Sequence, residues 1–124
     1  MSEQIIKVSA EDGHTFDAFR ATPDGDVKGG LVVLQEIFGM TDQLKSVTRS
    51  WAADGYDTIL PAMYDRIKPN SVIAFDDMEN AQGMMKQFDP DGVAADIRAT
   101  VATVDGGKGV SVVGFCWGGG AAMR

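Results

Sequence analysis

The 124 residues carry a formal net charge of −7, with 44% hydrophobic and 23% charged side chains, ordinary composition for one globular domain with a real core. The acidic balance argues against nucleic acid or an anionic membrane surface as a partner. No apolar run reaches the length of a membrane span, Met1-Ser2-Glu3-Gln4 lacks the basic, apolar start of a signal peptide, and a single cysteine allows no internal disulfide, so a cytoplasmic location is expected.

Taken in order, Ile5-Ile6-Lys7-Val8-Ser9 and Thr15-Phe16-Asp17-Ala18-Phe19-Arg20 are short extended runs. Asp12-Gly13 between them is a turn signal, so an antiparallel hairpin is expected, with the only histidine, His14, as a surface turn residue. Thr22-Pro23-Asp24-Gly25-Asp26 is a polar turn cluster. Gly30-Leu31-Val32-Val33-Leu34 is continuously apolar, the signature of a central strand buried on both faces. Loop chemistry begins at Gln35-Glu36-Ile37-Phe38-Gly39.

Thr41 or Asp42 caps a helix to about residue 54, with Leu44, Val47, Thr48, Trp51 and Ala52 on one face and Gly55 as its stop. Asp57-Thr58-Ile59-Leu60 reads as the next buried strand, closed by Pro61, and residues 63–70 as a loop carrying Tyr64 and Arg66. The pattern then predicts a helix over residues 72–88, with Ala74, Met78, Ala81, Met85 and Phe88 inward and the methionines as core filler. Asp89 or Asp91 caps a further helix with Val93, Ile97, Val101 and Val104 inward, ending before Gly106-Gly107. A hairpin followed by strand–helix alternation places the chain in the α/β class with a mostly parallel sheet. In such sheets ligands bind beyond the carboxyl ends of strands, and Glu36, Tyr64, Arg66 and Cys116 all sit at or just past such ends.

The chain converges on Gly114-Phe115-Cys116-Trp117-Gly118-Gly119-Gly120, which follows the apolar run Val110-Ser111-Val112-Val113 and leads into Ala121-Ala122-Met123, a first helical turn. Strand, glycine-flanked turn and helix make the layout of a nucleophile elbow, with cysteine where serine is more usual. Glycines two before and two after the nucleophile let strand and helix approach closely. A helix N-terminus beside the sulfur favours a thiolate and a developing oxyanion. The plainer reading, a small buried cysteine after a Gly-rich turn, stands beside this one. A phosphate-binding loop and a dinucleotide turn both fail on spacing. Gly106-Gly107-Lys108-Gly109 precedes a strand, and the later glycines miss the G-x-G-x-x-G pattern.

Gln35-Glu36-Ile37-Phe38-Gly39, Pro61-Ala62-Met63-Tyr64-Asp65-Arg66 and Gly114-Phe115-Cys116-Trp117-Gly118-Gly119 together resemble the dienelactone hydrolase family. The resemblance implies an α/β-hydrolase fold, of which residues 1–124 would be the amino-terminal portion, incomplete at the carboxyl end. It implies a Cys-His-Asp triad with Cys116 as nucleophile and Glu36 as the carboxylate that holds or deprotonates the resting thiol. The backbone N–H groups of Ile37 and Trp117 would form the oxyanion hole, and Arg66, with Tyr64 near it, would bind the carboxylate of a small lactone or ester. No metal or cofactor is implied.

His14 lies far upstream of the elbow, whereas in this fold the acid and base follow the nucleophile in chain order, so the triad histidine and aspartate are expected from a downstream segment. A non-enzymatic alternative is a half-domain that folds by self-association or with a complementary segment, through an unpaired edge at Val110–Val113. A third reading makes Cys116 a redox-sensitive thiol.

Overall fold

The computed structural model describes residues 1–34, 39–67, 77–87 and 89–114. They form a mixed five-stranded sheet with helices on both faces, so the α/β class holds. β1 (Ser2–Ser9) and β2 (Thr15–Thr22) make the expected hairpin around Gly13, whose φ of +89° only glycine adopts freely. β3 (Gly29–Leu34) is buried at all six positions. β4 (Tyr56–Pro61) pairs parallel to β3 and antiparallel to β2, which welds the hairpin into the main sheet. β5 (Val110–Gly114) pairs parallel to the other side of β3, giving the order β1-β2-β4-β3-β5.

The double burial of β3 follows from period two. Val32 and Leu34 join Phe16, Ala18 and Ile59 on the face covered by α3 (Pro90–Val104), while Leu31 and Val33 join Phe19, Ala21 and Leu60 under α1 (Asp42–Ala53). On the α3 side of the sheet, Arg20 of β2 clasps Asp57 of β4 in a fork, with nitrogen–oxygen distances of 2.9 and 2.6 Å.

Helix boundaries are set by capping side chains. Thr41 Oγ1 accepts the Leu44 N–H, and α1 stops at Gly55, φ +105°, as its sequence predicts. The helix expected over residues 72–88 is shorter. α2 runs Met78–Met85 because Asp77 leaves the helical conformation (φ −105°, ψ 58°) to accept the Asn80 N–H, and Lys86 is its C-cap. An aspartate offers the backbone this local alternative to continuing a helix. Of the inward face expected for this helix, Ala81 is buried as read, and Met84 one turn on is buried with it. Ala74 and Phe88, and the side chains of Met78 and Met85, lie outside the described part.

α3 also differs from its reading. Asp89 caps it and Val93 and Val104 are buried as expected, but Asp96 and Thr100 occupy the centre of the buried face, with Ile97 and Val101 only partly covered. Ala95 packs in the same core as Val93, and Thr100 satisfies its buried hydroxyl on the Asp96 carbonyl at 2.7 Å. At the far end the Val104 carbonyl sits over Gly30, where no side chain intervenes.

Candidate active site

Topology defines the candidate site before any side chain does. From β3 the chain crosses through α1, on one face, to β4 on one side. It then returns through α3, on the opposite face, to β5 on the other side of β3. The strand order thus switches direction between β3 and β5, and it is at the carboxyl ends of the strands flanking such a switch point that open α/β sheets form their ligand crevice. Leu34 and Gly114 are register partners across that point. Glu36 lies two residues past Leu34, and Cys116 two residues past Gly114. Glu36, Ile37, Cys116 and Trp117 themselves lie outside the described residues, as do the side chain of Arg66 and the helix expected from residue 121.

The loop expected over residues 63–70 begins as a tight 3₁₀ turn, Met63–Arg66, directly after β4, and residues 68–70 lie outside the described part. Ordinary loop reading missed it because its stabilisation is not local. Met63 and Tyr64 are both 1% exposed, Met63 in the α3-side core and Tyr64 in a separate cluster with Ala81, Met84 and Ile67. The Tyr64 hydroxyl donates to the Ala81 carbonyl at 3.5 Å. Among the described groups, the tyrosine ring thus reaches the α2 wall and carries the turn with it.

Burial pushes the Tyr64 phenol up to about 12. The phenol's folded pKa is raised, so this group costs nothing below about pH 10, where both folded and unfolded forms are neutral. Between about pH 10 and 12 the unfolded chain ionises first, and stability falls by on the order of 1–2 kcal/mol. Urea midpoints followed through this window should drop further for the wild-type chain than for Tyr64→Phe. Parallel curves would show that the phenol is not sequestered.

Two carboxylates in or beside this turn were given no role in the sequence. Asp65 is 9% exposed, and its Oδ2 accepts the Asp17 N–H at 2.8 Å. Asp17 in turn pairs through its own carboxylate with Lys7 on β1. The hydrogen bond to the Asp17 carboxylate and the charge of that group, with the charge of Asp65 adding to them, hold the Lys7 ammonium above its usual range. Asp96, 1% exposed on α3, is a third carboxylate missed because it interrupts an apolar stripe.

His14 is placed in the hairpin turn, but it is not simply a surface residue. Its ring is half-buried and stacks on Phe16 with centroids 5.8 Å apart, and Nε2 has no hydrogen-bond partner among the described residues. The hairpin turn lies at the same end of the sheet as the crevice, since β2 runs antiparallel to β4. β2 is three strands from β5, however, or about 14 Å at ordinary strand spacing. That distance, with the ring folded onto Phe16, keeps the imidazole from the end of β5. A shallow cavity of about 370 Å³ between the hairpin and α3, lined by Ser9, Ala10, Glu11, Ala95, Arg98 and Ala99, is likewise on the β1 side, away from the crevice.

Among the described residues no cluster of His, Cys, Asp or Glu has metal-binding geometry, and no helix is long and apolar enough to cross a membrane.

The sheet order and the two helical layers are those of proteins with the dienelactone hydrolase fold. A solved structure named m3DLH superposes with a TM-score of 0.75 at 23% identity, covering 98% of this chain and 52% of that one. The carboxymethylenebutenolidase of Pseudomonas putida is 32% identical over 132 residues, covering 99% of this chain and 55% of the relative. The carboxymethylenebutenolidase of a Pseudomonas species is 32% identical over 135 residues, covering 100% and 55%. The dienelactone hydrolase family model matches residues 16–124. The chain belongs to the dienelactone hydrolase family, and it spans about half the length of the curated relatives it matches.

Proposed function

We propose that the protein is a cysteine-nucleophile hydrolase of a small lactone or carboxylic ester. The observation that carries this reading is the register of β3 with β5. Glu36 and Cys116 each follow, by two residues, strand ends that are partners across the topological switch point. Two residues of extended chain reach about 7 Å. An acid and a thiol tethered so closely to the same crevice are within range of one another, and there a carboxylate can hold the thiol neutral until substrate displaces it.

The chemistry then follows from the residue types. Cys116 Sγ, as thiolate, adds to the substrate's carbonyl carbon, and the oxygen that gains the charge is bound by the Ile37 and Trp117 N–H groups. Collapse expels the ring or ester oxygen, which takes up a proton, and leaves a thioester on Cys116. Water cleaves the thioester, releasing the acid and the thiol. The imidazole that manages these protons, and the acid that orients it, come in this reading from sequence outside residues 1–124. Arg66 offers a bidentate grip for a carboxylate on the substrate. Tyr64 serves that grip by fixing the turn that carries Arg66. A nucleophilic thiol is suited to the cytoplasm, where thiols are kept reduced.

The names of the relatives support the lactone. Carboxymethylenebutenolidase denotes a butenolide bearing a carboxymethylene group, so the substrate class would combine a cyclic ester with a carboxylate. The test is hydrolysis by the intact protein of a carboxylate-bearing butenolide and of a neutral aryl ester. Turnover of both, with the butenolide preferred, is expected. No turnover of either would remove the reading.

A second reading, self-association or pairing with a complementary segment, is favoured by β5. Among the described strands β5 is an edge that pairs only with β3, and Val110, Val112 and Val113 are half-buried. Such an edge invites a further strand. A dilute monomer in sedimentation would count against it.

A further inference from the structure

The Asp17 peptide group of β2 holds the 3₁₀ turn at two points. Its carbonyl accepts the Ala62 N–H at 2.8 Å, which extends the β2–β4 ladder one residue beyond Pro61. Its N–H, instead of continuing the ladder, is taken by the Asp65 carboxylate, also at 2.8 Å. Asp65 is therefore pinned on one side by its own N–H to the Ala62 carbonyl, at 3.1 Å, and on the other through its side chain to β2. β2 is an interior strand, paired with β1 over Thr15–Thr22 and with β4 over Ala18–Ala21, so the point of attachment is held from both sides. The Arg66 backbone begins one peptide unit, about 3.8 Å, from this anchor.

Apolar burial of Met63 and Tyr64 already fixes the first half of the turn. The Asp65 bond constrains the second half, the part that carries Arg66. It does so with a carboxylate 48 residues distant from its partner in sequence. Lys7, paired with Asp17, supplies a positive charge beside these acids and offsets the negative field at the turn.

We propose that Asp65 is a positioning residue for Arg66: by binding the Asp17 N–H it sets where Arg66 leaves the turn, and so sets the protein's selection for substrates that carry a carboxylate. The proposal rests on the reading of Arg66 as the carboxylate grip and of Cys116 as the nucleophile.

The test compares alkylation of Cys116 in the intact protein by iodoacetate, which carries a carboxylate, and by iodoacetamide, which does not. Rates are read by peptide mapping. Their ratio cancels any general change in thiol reactivity, so a merely structural role leaves it unmoved. Arg66→Ala should lower the iodoacetate-to-iodoacetamide ratio about tenfold, the scale of one lost charge-assisted grip. Asp65→Ala should lower it by about fivefold or more. Asp65→Asn, whose amide oxygen can still accept the Asp17 N–H, should stay within about twofold of wild type.

A wild-type ratio in Asp65→Ala, or an equal fall in Asp65→Asn, overturns the proposal. If Asp65→Ala does not fold, Asp65→Asn decides alone, and a change beyond about twofold in either direction makes charge rather than the hydrogen bond responsible. An unchanged ratio in Arg66→Ala removes the underlying reading instead. A Cys116 no more reactive than free cysteine removes the nucleophile itself.

Discussion

Cys116→Ala is expected to lower hydrolysis of an ester or lactone by at least about 10³-fold, because a covalent route loses the atom that forms the intermediate. Residues 1–124 hold one cysteine, and their one histidine lies in the β1–β2 turn, three strands from β5. Cys116→Ser should also be severely impaired, since a hydroxyl is far less acidic than a thiol and Glu36 is a weak base for it. On the proposed reading of Arg66 as the substrate grip, the loss should appear mainly in kcat, with substrate binding little changed. A Cys116→Ala protein that retains a tenth or more of its activity, roughly speaking, would place the chemistry on another residue.

Gly30→Ala is the substitution expected to damage the fold most for its size. A Cβ at this position would lie 2.5 Å from the Val104 carbonyl oxygen and 3.0 Å from Val104 Cγ2, and it would also press on Val110. The obstacle is backbone at the end of α3, so no flexible side chain can swing aside. Overpacking of this kind costs about 3 kcal/mol. Its effect is also directed, since the residues that would have to move are those that set α3 and the start of β5 against β3. Denaturant unfolding of wild type and variant under the same conditions measures it. A loss under about 1 kcal/mol would mean that the helix end is more yielding than its packing indicates.

What the sequence made legible is what local chemistry decides. Thr41 and Gly55 bound α1 because a cap needs a hydroxyl three residues before its target N–H, and a stop needs a residue that tolerates positive φ. The hairpin was readable from Asp12-Gly13 and the double burial of β3 from an unbroken apolar run. The strands ending at Leu34 and Gly114 were readable for the same reason, while Glu36 and Cys116 just past them lie outside the described residues.

The parts that stayed hidden depend on distant residues. No periodicity in α3 shows that its buried centre is Asp96 and Thr100, because that depends on how the helix is set against the sheet. Asp77 can cap or continue a helix with equal local plausibility. Asp65 looks like an ordinary loop acid until β2 is brought alongside β4 and the Asp17 N–H faces it. Family likeness singled out Arg66. It took the tertiary register to reveal what steadies the turn beneath it.

The most direct trial is to expose the intact protein to an activated aryl acetate, quench with acid within the first turnover, and map the acetyl group by peptide mass spectrometry. The account predicts close to one acetyl per chain, carried by the peptide containing Cys116 and absent when that residue is alanine. Acetyl groups scattered over lysines, with the Cys116 peptide unmodified while aryl alcohol is released, would contradict it.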